Sequence, residues 1–188
     1  MEFVNVEYYT YLYRMITKET LLKIMPNANH NGRLDAMLPF LLEGMKKYAI
    51  NTRLRQNHFI AQLAHESGEF RYMEEIASGA AYEGRKDLGN TEVGDGIKFK
   101  GRGLIQLTGR ANYAAITKAL GIDFVSKPEL LSTPKYAVLS ACWFWNSRGL
   151  NIWADADDIL RITKKINGGT TGLSQREMYL DRAEKYNI

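Results

Sequence analysis

Six apolar residues, Leu34, Met37, Leu38, Leu41, Leu42 and Met45, follow one another in steps of three and one. That spacing lays a single stripe along a helix, which predicts a helix from Gly32 to about Tyr48, kinked at Pro39. A shorter stripe (Leu21, Leu22, Ile24, Met25) follows Thr17, a side chain suited to cap a helix start, and Pro26 to Asn29 ends it. A third run opens at Asn51-Thr52, turns Leu54, Phe59, Ile60 and Leu63 inward and closes on Glu66, with Gly68 just beyond. A helix over about 109–120 stops at Gly121. Thr133-Pro134 opens another over 134–147, apolar nearly all round and therefore central. Asp155 is read as the cap of a helix over about 156–166. Ser174 is read as the cap of a last helix carrying Met178, Tyr179, Leu180 and Tyr186.

Two stretches break this rhythm. Residues 70–96 carry Gly79, Gly84, Gly89, Gly94 and Gly96 and no helical stripe. An irregular loop of that length in a compact domain is usually functional, and Tyr72, Tyr82, Arg85 and Asp87 argue against disorder. Residues 97–108 alternate around Gly101 and Gly103, which predicts a small β-hairpin or extended segment. The expected architecture is mainly α, about seven helices with a minor β-hairpin, in one domain of two lobes around a groove. Residues 1–16, with Tyr8, Tyr9, Tyr11 and Tyr13, are expected to form an N-terminal arm. No internal repeat or linker interrupts the chain.

Composition narrows the function. The 188 residues are 45% hydrophobic, enough for a real core, and the net charge is +4. That charge is spread out, with no Lys/Arg block, which speaks against nucleic acid and suits a polyanionic target such as a bacterial wall. The single cysteine, Cys142, lies in an apolar run and reads as a small buried hydrophobe, so no intrachain disulfide forms. The three histidines, His30, His58 and His65, form no HExxH pattern, so neither a metal nor another cofactor is expected. The first eight residues do not read as a secretion signal. No apolar run approaches the roughly 18 residues of a membrane span, so no membrane insertion is expected.

The chemistry centres on His65-Glu66-Ser67-Gly68-Glu69-Phe70. A carboxylate on the last turn of a buried helix is partly desolvated, which favours the proton-carrying form that a general acid needs. A second carboxylate, Glu75, follows nine residues later. Two carboxyls in different surroundings are the minimal equipment for cleaving a glycosidic bond. Read alone, Glu66 is better explained as a solvated helix end, since most charged residues are exposed.

Four glycine-marked stretches alter that balance: residues 65–70, residues 81–90 (AYEGRKDLGN), residues 99–113 (FKGRGLIQLTGRANY) and residues 165–172 (KINGGTTG). Together they resemble the family 19 glycoside hydrolases, chitinases and related endolysins with a lysozyme-like helical fold. The likeness spans about residues 55–180, and the third stretch is its most specific part. The resemblance implies that Glu66 is the general acid and that Glu75, as in the compact phage-type members, is the general base. Glu83 ranks second as base and Glu74 is a further competitor. By the same resemblance Gln106 and Thr108 face the substrate or orient the water, Asn112 binds its polar groups, and Asn167 and Arg176 position the acidic residues or the sugar. Tyr72, Tyr82, Glu83 and Arg85 complete the candidate substrate surface. The endolysin branch is the expected one, cleaving the β-1,4 bond between N-acetylmuramic acid and N-acetylglucosamine of peptidoglycan by inversion, with chitin as the alternative polymer. Such an enzyme is expected to be a monomer, held in the host cytoplasm until a holin gives it access to the wall.

Overall fold

The computed structural model describes residues 15–187. Among them the helices are α1 (Lys18–Ile24), α2 (Arg33–Lys47), α3 (Arg53–Glu66), the single turn α4 (Asp95–Lys98), α5 (Arg110–Leu120), α6 (Pro134–Ser147), α7 (Leu150–Asp155), α8 (Ile159–Asn167) and α9 (Leu173–Tyr186). Short 3-10 turns at His30–Gly32, Ala80–Tyr82, Lys86–Leu88 and Pro128–Ser132 fill the connections. The mainly helical expectation holds, and no described helix is long and apolar enough to cross a membrane.

Helix α3 is the axis of the larger apolar cluster. Every residue from Gln56 to Ala64 is buried, although four of them are polar. Buried polar groups are tolerated when they are hydrogen-bonded, and these reach different parts of the chain. Gln56 Oε1 accepts the Ile16 N–H at 3.0 Å, Asn57 Oδ1 accepts from Asn187 Nδ2 at 2.7 Å, and His58 Nε2 meets Asp157 Oδ1 at 2.8 Å. Gln62 Nε2 donates to Thr163 Oγ1 at 3.4 Å. α3 packs chiefly on α9, and α2 packs on α6.

Helix α6 stands between this cluster and a smaller one. Its Val138, Cys142 and Trp145 face Phe59, Leu63 and the α2 stripe, with the Trp145 and Phe59 rings edge to face at 5.2 Å. Its other flank meets a cluster of Phe99, Leu107, Tyr113, Ile116, Phe124 and Leu131, and Phe144 touches both. Burial on both flanks is why this helix reads as apolar all round. Cys142 is fully enclosed, and burial pushes its thiol well above the ordinary cysteine range, which makes it inert as a nucleophile.

Several expectations change. The hairpin does not form: among the described residues there are only isolated bridges, Glu74 with Arg102 and Arg102 with Leu107. Positive φ at Gly103 and Gln106 turns the chain back too tightly for a ladder to extend. Leu54 lies on the first turn of α3 and is 37% exposed rather than buried. Asp155 ends a helix, α7, and pairs with Arg55; the cap of α8 is Asp158, which accepts the Arg161 N–H at 2.9 Å. Gly172, not Ser174, precedes α9. Thr133 does not cap α6 through its side chain, which donates instead to the Leu130 carbonyl at 2.7 Å. Most of the N-terminal arm, residues 1–14, lies outside the described residues.

Candidate active site

Glu66 is the last residue of α3. Immediately after it Gly68, Glu69 and Phe70 all adopt left-handed backbone, φ 57, 58 and 66°. Consecutive non-glycine residues in that region cost of order 1–3 kcal/mol each and persist only when the surroundings over-determine them. Here they do. Ser67 Oγ donates to the Leu63 carbonyl and accepts the Phe70 N–H. The Glu69 carboxylate accepts the Asn27 N–H at 2.7 Å and the Tyr179 hydroxyl at 2.9 Å. The helix end carrying Glu66 is therefore pinned from three sides.

The Glu66 side chain is 18% exposed. Its Oε1 accepts from Arg176 Nη2 at 2.5 Å, while Oε2 accepts no hydrogen bond among the described residues. Arg176 comes from α9, is 1% exposed and also donates from Nη1 to Gln62 Oε1. The buried guanidinium commits one oxygen of Glu66 as its hydrogen-bond acceptor, and the other is left for a ligand. Behind Glu66, His65 Nδ1 sits 2.6 Å from Gln175 Oε1, and Gly172 lies flat against the imidazole. A Cβ at Gly172 would stand 2.1 Å from His65 Cε1.

Glu75 is held differently. Its Oε1 accepts the Tyr82 hydroxyl at 3.0 Å and its Oε2 the Gly101 N–H at 3.1 Å. Its own N–H donates to the Gly101 carbonyl at 2.9 Å. Burial first, and the bond to Glu75 second, push the Tyr82 hydroxyl above the ordinary phenol range, which keeps it a donor at neutral pH. Gly101 marks where the groups converge: a Cβ there would lie 2.8 Å from Gln106 Oε1, 3.2 Å from Glu75 Oε2 and 3.3 Å from Thr108 Oγ1. Thr108 donates to the Gln106 carbonyl, and Asn112 Nδ2 donates to the Thr108 carbonyl at 2.7 Å. Glu75, Gln106, Thr108 and Asn112 thus form one polar patch, whose donors and acceptors carry no competing charge.

The competing carboxylates are engaged elsewhere. Glu74 pairs with Lys100 and Arg102, each at 3.2 Å. Glu83 accepts the Gly94 and Gly96 N–H groups at 2.7 and 2.8 Å and so ties down the loop. Arg85 pairs with Asp87 in solvent. Tyr72 is 39% exposed and lies against Gly68. Asn167 is exposed at the end of α8.

Sequence reasoning missed the residues that hold the long loop. Buried Asp95 takes Arg110 in a two-pronged ion pair and accepts the Thr91 and Glu92 N–H groups. Buried Asn90 donates to the Tyr82 carbonyl and accepts the Arg110 N–H, both at 2.8 Å. The available signal was Asn and Asp standing beside the loop's glycines. Among the described residues no group of three His, Cys, Asp or Glu side chains is placed to hold a metal ion.

A family model described as chitinase class I matches residues 57–159, over half of the chain. A Haemophilus influenzae protein described as containing a glycosyl hydrolase family 19 domain is 28% identical over 86% of this chain and 92% of its own length. An endochitinase of Arabidopsis thaliana is 39% identical over 58% of this chain and 38% of its own. The chain spans less than half the length of the plant endochitinases it matches. The crystal structure of chitinase C from Streptomyces griseus superposes with a TM-score of 0.72 at 21% identity, over 92% of this chain and 75% of that one. The helical scaffold, the two differently held carboxylates and the match across residues 57–159 lead to one statement: this chain belongs to the family 19 glycoside hydrolases.

Proposed function

We propose that this glycoside hydrolase cleaves β-1,4-linked N-acetylhexosamine polymers with inversion, Glu66 acting as general acid and Glu75 as general base. The observation that carries the reading is the asymmetry of the two carboxylates. Glu66 has one oxygen clamped by Arg176 and the other open to a glycosidic oxygen. Glu75 sits among neutral groups, Tyr82, Gln106 and Thr108, that can hold a water against it. In an inverting reaction the acid protonates the leaving oxygen while the base takes a proton from water attacking the opposite face, across a gap of about 6.5–9.5 Å.

Peptidoglycan is the polymer we favour. The net charge of +4 suits an anionic wall, and the lone, inert cysteine shows no disulfide adaptation to an oxidising medium. Chitin is the second reading, supported by the match to plant endochitinases. In the favoured reading residues 1–188 act as one monomeric catalytic unit, an endolysin released from the host cytoplasm through a holin-opened membrane. The test sets the clearing of outer-membrane-permeabilised Gram-negative cells beside the cleavage of chitin hexamers. Wall lysis with reducing-end products is expected; efficient chitin cleavage without lysis gives the role to a chitinase, and 1,6-anhydro products would exclude hydrolysis.

A further inference from the structure

The left-handed turn behind Glu66 has an outer side as well as an inner one. There Asn27, His30 and Arg71 line a cavity of about 220 Å³. No side-chain hydrogen bond or ion pair within the described fold engages any of the three, and the Arg71 guanidinium only rests over the Tyr72 ring, 5.2 Å from its centroid. Arg33 braces the same turn, donating to the Phe70 and Arg71 carbonyls. Of the acidic groups nearby, Asp35 is paired with Lys18 and Asn29, and Glu69 is held by two neutral donors, the Asn27 N–H and the Tyr179 hydroxyl. Three exposed side chains that the fold does not use, an amide, an imidazole and a guanidinium, converge on this cavity and offer donors to a carboxylate. The Arg71 guanidinium covers Tyr72, a residue of the candidate substrate surface, and Arg71 follows Glu66 by five residues in the chain.

We propose that this cavity binds a carboxylate of the peptide attached to the glycan, making Arg71 and His30 specificity-determining residues for peptide-bearing wall over chitin. The proposal rests on the peptidoglycan reading. Chitin carries no carboxylate, so it gains nothing from the cavity. A wall strand carries peptide carboxylates beside the bond that Glu66 would protonate, and charge-assisted hydrogen bonds to them would strengthen the complex.

Three substrates separate the possibilities: peptide-bearing glycan strands, the same strands stripped of peptide by an amidase, and chitin hexamers. R71Q is expected to raise KM about tenfold on the first and to leave the other two unchanged, with R71K intermediate and the melting temperature of each variant that of the wild type. Equal effects on all three substrates, or none on the first, overturn the proposal. Binding is read independently of catalysis by titrating the released acidic peptide against the His30 imidazole resonances, with inorganic phosphate as control. If the peptide binds and R71Q abolishes it while no wall is cleaved, the cavity stands and the peptidoglycan reading falls. If the wall is cleaved but the peptide does not bind, or phosphate binds in its place, the cavity assignment falls alone.

Discussion

Glu66 and Glu75 are both glutamates of the candidate site, yet the protein restrains them by opposite means. Glu66 ends a helix buried from Gln56 to Ala64 and is gripped by a buried cation from the far end of the chain, 110 residues away. Glu75 lies in an irregular loop and is gripped by neutral donors, a phenol and a backbone amide. A charged clamp fixes direction strongly and takes one oxygen out of service; neutral donors fix a carboxylate while leaving its charge to act on water. The difference teaches that the helical scaffold supplies the rigid partner and the loop supplies the solvating one.

The largest effects should come from removing each carboxyl. E66Q and E75Q are each expected to lower kcat on polymer by about 10²–10⁴-fold. They part on a substrate whose leaving group needs no proton. An activated aryl glycoside should restore much of the E66Q rate and little of the E75Q rate; equal rescue would break the assignment of roles.

Next comes the clamp. R176A strips Glu66 and Gln62 of a shared partner deep in the α3–α9 contact. Breaking a buried pair of this kind costs about 3–5 kcal/mol, so a large fall in melting temperature should accompany the loss of kcat. R176K keeps the charge but not the planar fork and should recover stability more than rate. No comparable partner exists to remove from Glu75, where Y82F should be mild.

The smallest effect concerns the loop's own anchor. Arg110, followed by the Glu92 and Thr91 N–H groups, holds the Asp95 carboxyl below the usual carboxylate range. A depressed folded-state value stabilises the protein above the unfolded carboxylate range, and that contribution is lost as the pH falls through the folded value. D95N should therefore melt a few degrees below wild type at neutral pH, and the gap should narrow in acid below about pH 4. A gap that does not change with pH would mean that Asp95 acts through shape alone.

Much of the helical frame was legible because α2, α3 and α6 announce themselves by periodicity, and Gly68 marks the end of α3. α7 was not, because Gly149 and a six-residue length give no stripe to read. The carboxylates show why a site is harder to read than a fold. Glu74, Glu75 and Glu83 look alike in one dimension. What distinguishes them is whether a cation (Lys100 and Arg102), a neutral donor (Tyr82) or a loop amide (Gly94, Gly96) folds back onto each. Those partners lie 7 to 28 residues away, beyond any local pattern.

The contact between Gly172 and His65 has a consequence for how this sequence can vary. Gly121, Gly149 and Gly168 share its positive φ but face open space, so a side chain there would strain only the backbone. At Gly172 one added carbon would collide with the ring next to Glu66, four positions before Arg176. A single absent methyl thus sets the registration of α9 against α3. In a saturation library the first three positions should accept substitutions and Gly172 should not, making it a site where drift of the scaffold is read directly as drift of the chemistry.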